Sequence, residues 1–359
     1  MGLKLSMDRW MAGTVLFLTF FGLTMVFSAS AMVSDRSWGT FTGFLIKQAL
    51  ATVLGLALLV AATRFDYQRL RNPLLIWSLL LGCLYLLILV RTVGNSRWLV
   101  LGGLSFQPSE LTKLVLLIYL ADLLARKEDR LGEWRGFLLP CLALLGLFCM
   151  LIYTQPDLGT TVTVALIAFC LFFLAGMPWR RLAALAAGGT ATFVLLASRS
   201  EYTWRRVMGF LYPHADPLGN NFQMNQSLIA VGAGGITGVG LGKSTQKLLF
   251  LPAAHTDFIF AIIGEELGFL GCLVLLGAFL VLFWRGIRTA LRARDRFGAY
   301  LVAGITLSLV IQALINMGVV LGMLPTKGLP LPFVSYGGSS LLISLLAAGL
   351  ALNVSQHVN

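Results

Sequence analysis

The chain has 359 residues, of which 58% are hydrophobic and only 12% are charged. A soluble domain carries about 25% charged residues, so this composition excludes a soluble globular protein and indicates a chain that lives in lipid. The net charge of +12 would suggest a nucleic-acid partner in a soluble protein. Here most basic residues fall in short loops between apolar runs, so membrane topology explains the charge and no nucleic acid is expected.

Apolar runs of roughly 20 residues recur along the whole chain, and each is long enough to cross a bilayer as a helix. The sequence therefore predicts an all-α, polytopic membrane protein with about ten transmembrane helices, in a single domain over residues 1–359. The first run is longer than the roughly 7–15 apolar residues of a signal peptide, so it is predicted to remain as a helix. The predicted spans lie near residues 10–33, 42–62, 73–90, 109–125, 137–153, 158–175, 182–198, 258–284, 298–320 and 339–354.

Basic residues are concentrated in alternate loops. When the N-terminus is placed in the cytoplasm, the inner loops carry most of the Arg and Lys residues and the short outer loops carry few. The positive-inside rule then predicts that both termini are cytoplasmic. Residues 199–256 become a long extracytoplasmic loop between the seventh and eighth helices, and loops of that length are usually functional or disordered.

The first outer segment that breaks the apolar pattern reads GNSRWLVLGGLSFQPSELTK, residues 94–113. Glu110 and Lys113 are three positions apart, so they share one helix face and can form an ion pair. A buried ion pair in a membrane helix usually faces the bundle interior or a wet cavity. The spacing favours a purely structural pair and a pair in a substrate cavity equally.

The second outer segment is TQPDLGT, residues 154–160. Its proline and glycine indicate a tight turn, and Asp157 is placed to cap the next helix. From this segment alone, a capping role for Asp157 is favoured over a chemical one.

The long outer loop contains the cationic pair Arg205 and Arg206, several aromatic residues and the glycine-rich stretch GAGGITGVGLGKS. The glycines suggest a phosphate-binding loop, but Thr237 stands where that motif requires glycine, and no strand precedes it. A half-buried, re-entrant backbone that uses glycine for close packing is the better interpretation.

The stretch LLFLPAAHTDFIFAIIGEELGFLG, residues 248–271, places Asp257 at the mouth of a long apolar helix. A carboxylate at that position is costly unless it is paired or used, and capping and catalysis explain it equally well. Glu265 and Glu266 lie about 12–13 Å deeper by helical rise, so they are predicted to be packing or cavity groups. The cysteines and histidines form no metal-binding pattern, and the five cysteines all lie in apolar runs.

The chain ends with GMLPTKGLPLPFVSYGGSS, residues 322–340, whose three prolines exclude a continuous helix. Irregular backbone at membrane depth persists only where protein or a water-filled cavity covers it. We therefore expect this loop, with Ser335 and Tyr336, to line the same outer cavity as His255 and Asp257.

Four of these segments carry a family resemblance: FQPSELTKL, QPDLGT, LPAAHTDFIFAIIGEELG and GLPLPFVSYGGSS, in this order. They resemble the SEDS family, the membrane glycosyltransferases that polymerise peptidoglycan, and the resemblance covers nearly the whole chain. Within that family, RRVMGFLYPHADPLGNNFQ and MLPTKG are more similar to the FtsW division enzymes than to the RodA elongation enzymes.

The resemblance implies that the chain polymerises lipid II into glycan strands on the outer face of a bacterial cytoplasmic membrane, in cell division or elongation. Asp257 matches the essential aspartate of the family and would act as the base that activates the acceptor hydroxyl. No cofactor is certain, although Mg²⁺ or Mn²⁺ could assist the leaving diphosphate. The predicted substrate-binding residues are Glu110, Lys113, Asp157, Arg205, Arg206, Lys243, Lys247, His255, Ser335 and Tyr336.

Two other classes of function remain open at this stage. A lipid II flippase would also contain polar groups and broken helices, but it needs a polar path to the cytoplasmic side. A structural division scaffold would have no use for Asp257 beside a long outer loop.

The chain has no motif for peptide cross-linking, so the resemblance implies a class B penicillin-binding protein as partner, beside other division or elongation proteins. The ninth span has a face of small residues, Gly298, Ala299, Ala303 and Gly304, of which 299 and 303 are four positions apart. This face suggests that the eighth and ninth spans and the outer loop dock the partner's helix. Packing against this chain's own helices explains them equally well.

Overall fold

The computed structural model describes residues 7–93, 97–101, 104–128, 131, 133–212, 221–248, 250–326 and 328–358. Within these ranges almost all regular structure is helical, and the only strands form one short antiparallel pair, β1 (Leu99–Leu101) and β2 (Leu104–Phe106). The twelve α-helices of these ranges are α1 (Arg9–Trp38), α2 (Gly43–Arg64), α3 (Pro73–Val93), α4 (Pro108–Arg126), α5 (Leu139–Tyr153), α6 (Leu158–Leu174), α7 (Trp179–Arg199), α8 (Glu201–Leu211), α9 (Phe222–Gly234), α10 (Ile259–Leu291), α11 (Arg296–Val320) and α12 (Gly338–Ser355).

Eight helices of the described chain are long and apolar enough to cross a membrane, namely α1, α2, α3, α5 with the preceding turn, α7, α10, α11 and α12. The other two predicted spans correspond to α4 and α6. Helix α6 is apolar but has only 17 residues, and α4 carries the charged residues Glu110, Lys113 and Asp122. The predicted all-α, polytopic membrane fold is confirmed, and the predicted count of about ten spans compares with eight described helices that have the length and composition of a span.

The long segment between α7 and α10 contains two further helices, α8 and α9, and residues 213–220 within it lie outside the described residues. The glycine-rich stretch that follows α9 packs directly against α10. A Cβ atom added at Gly234 would lie 1.9 Å from the carbonyl oxygen of Gly264, and one at Gly238 would lie 2.2 Å from that of Glu266. The prediction that glycine permits close backbone packing here is confirmed.

Helix α10 is interrupted at Gly268, where φ is 66° and ψ is −164°. On one side of the break, the N–H groups of Val239 and Gly240 donate to the carbonyl oxygens of Glu265 and Glu266, both at 3.0 Å. On the other side, two N–H groups of α10 donate back to the glycine-rich stretch at 2.9 and 3.1 Å. Because the stretch replaces the lost helical bonds, irregular backbone is tolerated inside an apolar bundle.

Helices α11 and α12 form the centre of the bundle, and 67% and 83% of their apolar windows are buried. The small residues of α11 serve this packing. Ala303 is only 5% exposed, and a Cβ atom at Gly304 would lie 3.0 Å from the Leu117 side chain of α4. The predicted docking face at Ala303 and Gly304 is therefore wrong, because close packing within the chain covers it.

A buried ion pair joins α4 to α11. The Lys113 Nζ donates to Glu110 Oε2 at 2.9 Å and to Gln312 Oε1 at 2.5 Å, and Gln312 Nε2 donates to the Pro330 carbonyl oxygen at 2.8 Å. Glu110 is 1% exposed and Lys113 is 8% exposed. The predicted pairing is confirmed, and it connects α4 through α11 to the proline-rich loop before α12.

Substitution of Gly268 by alanine is expected to destabilise the protein. The backbone at this position lies in a region that is essentially restricted to glycine, where strain costs roughly 1–3 kcal/mol. A Cβ atom would also lie 2.4 Å from the Gly238 nitrogen. Thermal unfolding of purified protein in detergent should show a lower midpoint for Gly268→Ala.

The control is Gly277→Ala on the same helix, because nothing lies within 4 Å of a Cβ atom at Gly277. Alanine in a helix interior is favoured over glycine by roughly 0.5–1 kcal/mol, so this variant should be neutral or more stable. Equal midpoints for the two variants would contradict the assigned break in α10.

Removal of Lys113 alone should be more harmful than removal of both charges. Lys113→Met leaves the buried Glu110 carboxylate unpaired, and breaking such a pair costs roughly 3–5 kcal/mol. The double variant Glu110→Gln/Lys113→Met removes both charges and should recover part of the lost stability in the same unfolding assay. Equal losses for the single and double variants would mean that water reaches both residues.

Candidate functional site

A cavity of about 920 Å³ lies where the loops before β1, α6 and α12 meet α7, α8 and the mouth of α10. Its lining is partly aromatic and aliphatic, with Trp98, Tyr153 and Leu196 among the contributors. The charged groups that line it are Arg97, Asp157, Arg199, Arg206 and Asp257. The cavity thus combines apolar walls with three guanidinium groups and two carboxylates.

Asp257 lies directly before Phe258, the residue at the N-cap position of α10, which makes no side-chain capping bond. Among the described residues, the Asp257 carboxylate accepts no hydrogen bond, so it does not cap the helix. Buried carboxylates are normally paired or hydrogen-bonded. A carboxylate that lacks both and faces a cavity is available to a ligand.

The electrostatic surroundings of Asp257 act in two directions. Burial raises the pKa of this carboxyl to about 6, and the nearby Asp157 adds to the increase, whereas Arg97 and Arg206 lower the pKa. A group with this pKa is mostly ionised at neutral pH and still binds a proton well enough to act as a base. The positive N-terminal end of α10 also favours the ionised form.

Gly328 lets the loop before α12 pass closely beside Asp257. A Cβ atom at Gly328 would lie 2.8 Å from Asp257 Oδ2 and 3.4 Å from Arg97 Nη2. The backbone at this glycine therefore lies against both the carboxylate and the guanidinium. Arg206 also contacts this loop, because its Nη1 donates to the Thr326 carbonyl oxygen at 3.1 Å.

The structure places Asp157 in the cavity wall with its carboxylate already satisfied. Its Oδ2 accepts hydrogen bonds from Gln107, Ser109 and the Thr160 hydroxyl at 2.8–2.9 Å, and its Oδ1 accepts the Thr160 N–H at 3.2 Å. Asp157 thus caps α6, as its position after the proline indicates. Its charge acts on Asp257 at a distance.

His255, Ser335 and Tyr336 support the loop behind Asp257 and do not line the cavity. The Ser335 hydroxyl donates to the Thr256 carbonyl oxygen at 2.6 Å, and the Tyr336 N–H donates to the His255 carbonyl oxygen at 2.9 Å. The His255 ring packs against Phe44, with centroids 4.8 Å apart. Burial lowers the pKa of His255, so its ring is neutral at physiological pH.

The predicted cations of the long loop divide into two groups. Arg206 lines the cavity, whereas its neighbour Arg205 is exposed and pairs with Glu201. Lys247 is buried elsewhere, where its Nζ lies 2.8 Å from Glu266 Oε1. Lys243 is exposed and, like the Glu110–Lys113 pair, does not line the cavity.

Glu265 and Glu266 hold the chain that follows the glycine-rich stretch. Glu265 accepts hydrogen bonds from the Ser244 hydroxyl and from the N–H and hydroxyl of Thr245, while the Ser28 hydroxyl donates to Glu266 at 2.7 Å. Both glutamates are at most 1% exposed. The prediction that they are packing groups is confirmed.

Sequence reasoning did not identify Arg97 and Arg199 as site residues. Arg97 was visible only as a charge in an outer loop, and Arg199 only as the first residue of the long outer loop. Nothing in their spacing indicates a cavity shared with Asp257, which is more than fifty residues away from either. No local sequence pattern around Arg97 or Arg199 marks either residue as part of a site.

The described residues contain no group of three or more His, Cys, Asp or Glu side chains that could hold a metal ion. Of the two carboxylates in the cavity wall, Asp157 has its oxygens occupied by hydrogen bonds. Asp257 alone does not make a divalent-cation site from protein groups. The residues present do not fit a resident metal.

Known proteins of one family are similar to this chain over nearly its whole length. Residues 8–359 match the model of the FtsW/RodA/SpoVE family, described as cell cycle proteins. A probable peptidoglycan glycosyltransferase FtsW from Geobacter sulfurreducens is 42% identical over 348 residues, which cover 95% of this chain and 93% of that protein. Stage V sporulation protein E from Bacillus subtilis is 40% identical and covers 99% of this chain and 98% of its own length.

Two solved structures have the same fold. A chain from a peptidoglycan synthase complex, solved to explain the coordination of polymerization and crosslinking, has a TM-score of 0.77 and 32% identity over 98% of both chains. The rod shape determining protein RodA of Thermus thermophilus has a TM-score of 0.72 and 31% identity, over 98% of this chain and 97% of that chain. The resemblance that the four motifs carry is confirmed, and the chain belongs to the FtsW/RodA/SpoVE family.

Proposed function

We propose that this protein is a peptidoglycan glycosyltransferase that polymerises lipid II into glycan strands. The observation that carries the proposal is the Asp257 carboxylate, which has no hydrogen-bond donor among the described residues and faces a cavity with three arginines. The relatives named peptidoglycan glycosyltransferase, at 42% identity over most of the chain, support it. The names of those relatives also support a role in cell division.

The reaction joins an acceptor sugar hydroxyl to the anomeric carbon of a second lipid-linked sugar. Asp257 takes the proton of the hydroxyl as its oxygen forms the new C–O bond, because an alkyl hydroxyl is a poor nucleophile until a base is in place. The bond between the anomeric carbon and the diphosphate breaks at the same time. The electron pair leaves with the lipid diphosphate, and Asp257 then releases its proton to solvent.

The arginines act on the leaving group. Arg97, Arg199 and Arg206 line one cavity with Asp257, and guanidinium groups match phosphate oxygens in charge and in geometry. Positive groups fixed where negative charge develops lower the barrier to departure of the diphosphate. The proposal therefore assigns this role to Arg206 among the predicted cations and adds Arg97 and Arg199.

A flippase is not favoured. Passage of a polar headgroup requires a polar route through the bundle. Two charged pairs are buried within the described part of the bundle, Lys113 with Glu110 and Lys247 with Glu266, and each lysine is bound by its glutamate. Neither pair lines the cavity that contains Asp257.

The location and partner belong to the same proposal. The protein crosses the membrane many times, and the loop charges support cytoplasmic termini, with Asp257 at the outer face of a bacterial cytoplasmic membrane. A class B penicillin-binding protein would cross-link the strands, in line with the similarity to a chain of a peptidoglycan synthase complex. Other division or elongation proteins would join this assembly.

Replacement of Asp257 by asparagine should abolish strand synthesis while the protein stays folded. The side-chain shape survives but the base does not, and a general base contributes roughly 10²–10⁴-fold to rate. The assay uses purified protein with lipid II and its transpeptidase partner, and glycan strands are separated on a gel. Strand synthesis at a near-normal rate by Asp257→Asn would exclude the base assignment.

The pH dependence should separate Arg206 from its neighbour Arg205. The wild-type rate should rise with pH through an apparent pKa of about 6, since only the ionised form of Asp257 accepts the proton. Arg206→Gln removes a charge that lowers this pKa, so the acid limb should move up by as much as about one pH unit. Donor KM should rise as well.

Arg205→Gln is the matched control, because it removes the same charge from an exposed position outside the cavity. Its acid limb and KM should equal those of the wild type. An identical response of the two variants would contradict the placement of Arg206 beside Asp257.

A further inference from the structure

The loop that carries Asp257 is held in an unfavourable conformation. Ala253 has φ of 57° in that loop, and Phe333 has φ of 65° in the neighbouring loop before α12. Residues other than glycine adopt such angles only where the surroundings enforce them. Contacts with the rest of the bundle must therefore hold the two loops in place behind the Asp257 carboxylate.

Two amide side chains of α11 make the deepest of these contacts. The Nδ2 of Asn316 donates to the Asp257 carbonyl oxygen and to the Leu329 carbonyl oxygen, both at 2.7 Å. One turn earlier, Gln312 donates to the Pro330 carbonyl oxygen at 2.8 Å and accepts from Lys113. Both side chains are 2% exposed, so water cannot replace them.

The geometry fixes the role of the Asn316 amide. Both of its partners are carbonyl oxygens, which only accept hydrogen bonds, so the NH₂ group must face them. One side chain therefore joins the backbone of the Asp257 residue to the loop that passes between Asp257 and Arg97 at Gly328. Loss of the amide would leave two buried carbonyl groups without a donor and release both loops.

We propose that Asn316 is a positioning residue that holds Asp257 at its distance from the cavity arginines, and that Gln312 extends this support to the Glu110–Lys113 pair. The inference rests on the proposed function of Asp257 as the base. Asn316 does not line the cavity, but it controls where the Asp257 carboxylate lies and which groups surround it.

The chain contains a closely matched control for this test. Asn353 on α12 is also fully buried, and its Nδ2 also donates to two carbonyl oxygens, those of Thr63 at 2.8 Å and Phe65 at 2.5 Å. In both asparagines the Oδ1 atom is buried without a partner among the described residues. Asn353 shares the chemistry of Asn316 but does not contact the Asp257 loop.

The experiment compares Asn316→Leu with Asn353→Leu in thermal unfolding, steady-state kinetics and pH profile. Both variants should lose stability to a similar degree, because each leaves two buried carbonyl groups unpaired. Only Asn316→Leu should lower kcat, by tenfold or more, with little change in KM. Its acid limb should move to lower pH, because a released carboxylate is better hydrated and burial is what raises its pKa.

The charged groups around Asp257 must be the same in both variants. They are Arg97 from the loop before β1, Arg206 from α8 and Asp157 at the start of α6, and Arg199 of α7 lines the same cavity. None of them is changed in either variant, so a shift of the acid limb reports movement of Asp257 itself. If a leucine variant does not fold, the milder pair Asn316→Ser and Asn353→Ser is compared by the same criteria.

The titration of Asp257 can also be followed without catalysis. A water-soluble carbodiimide modifies protonated carboxyl groups, and mass spectrometry of the Asp257 peptide gives the midpoint of labelling against pH. Asn316→Leu should lower this midpoint and Asn353→Leu should leave it unchanged. Equal midpoints and equal kcat values in the two variants would overturn the positioning role.

These readouts separate the two possible failures. If the wild type makes no strands, or if Asp257→Asn is fully active, the proposed function or the base assignment fails. The labelling midpoint would still show whether Asn316 positions Asp257. If catalysis depends on Asp257 but the two asparagine variants behave alike, only the positioning inference fails.

Discussion

The structure depends on one constraint: in an apolar bundle, every irregular stretch of backbone must find hydrogen-bond partners inside the protein. Three irregular stretches of the described chain illustrate this: the glycine-rich stretch after α9, the loop before α10 and the loop before α12. The first is satisfied by the broken α10, and the other two are satisfied by each other and by side-chain amides. The second and third stretches supply one side of the cavity, at Asp257, Thr326 and Gly328.

The same requirement for hydrogen-bond or charged partners distinguishes Asp257 from the buried acids of the described chain. Glu110 and Glu266 are paired with lysines, Asp122 is paired with arginines, and Asp157 is saturated by hydroxyl and amide donors. These groups fix the positions of helices and gain nothing from a ligand. Asp257 differs from these acids, because it is only partly exposed and yet accepts no hydrogen bond and makes no ion pair within the described chain. A partly desolvated carboxylate without such a partner is unfavourable for stability. That cost is the mark of a functional group.

Local signals in the sequence were sufficient for the helices and for the acid at the mouth of α10. Apolar length and loop charge depend on neighbouring residues only, so the span near 298–320 and the start of the span near 258–284 could be predicted to within a few residues, whereas α10 continues to Leu291. The partners of the charged residues could not be predicted from the sequence. Lys247 pairs with Glu266 nineteen positions away, and Arg97 reaches a cavity with Asp257. Such pairs depend on tertiary packing.

The prediction for the small residues of α11 was wrong for a related reason. A small residue every fourth position allows a close helix approach, but the pattern does not say whether the approaching helix belongs to a partner or to the same chain. In this bundle the space beside Gly304 is filled by Leu117 of α4. A central helix and a lipid-facing helix have the same apolar composition in a membrane protein, so only the fold distinguishes them.

The four motifs that carry the family resemblance converge on α11 and the loop after it. FQPSELTKL reaches Gln312 through Lys113, and the segment that contains Asp257 reaches Asn316 through a backbone carbonyl. The GLPLPF segment accepts from both amides, and a Cβ atom at Gly159 of QPDLGT would lie 2.6 Å from the Leu329 side chain. The four motifs are far apart in the sequence, but they meet around Gln312, Asn316 and the loop before α12. This arrangement leaves the Asp257 carboxylate facing the cavity, without a hydrogen bond or an ion pair from the described chain.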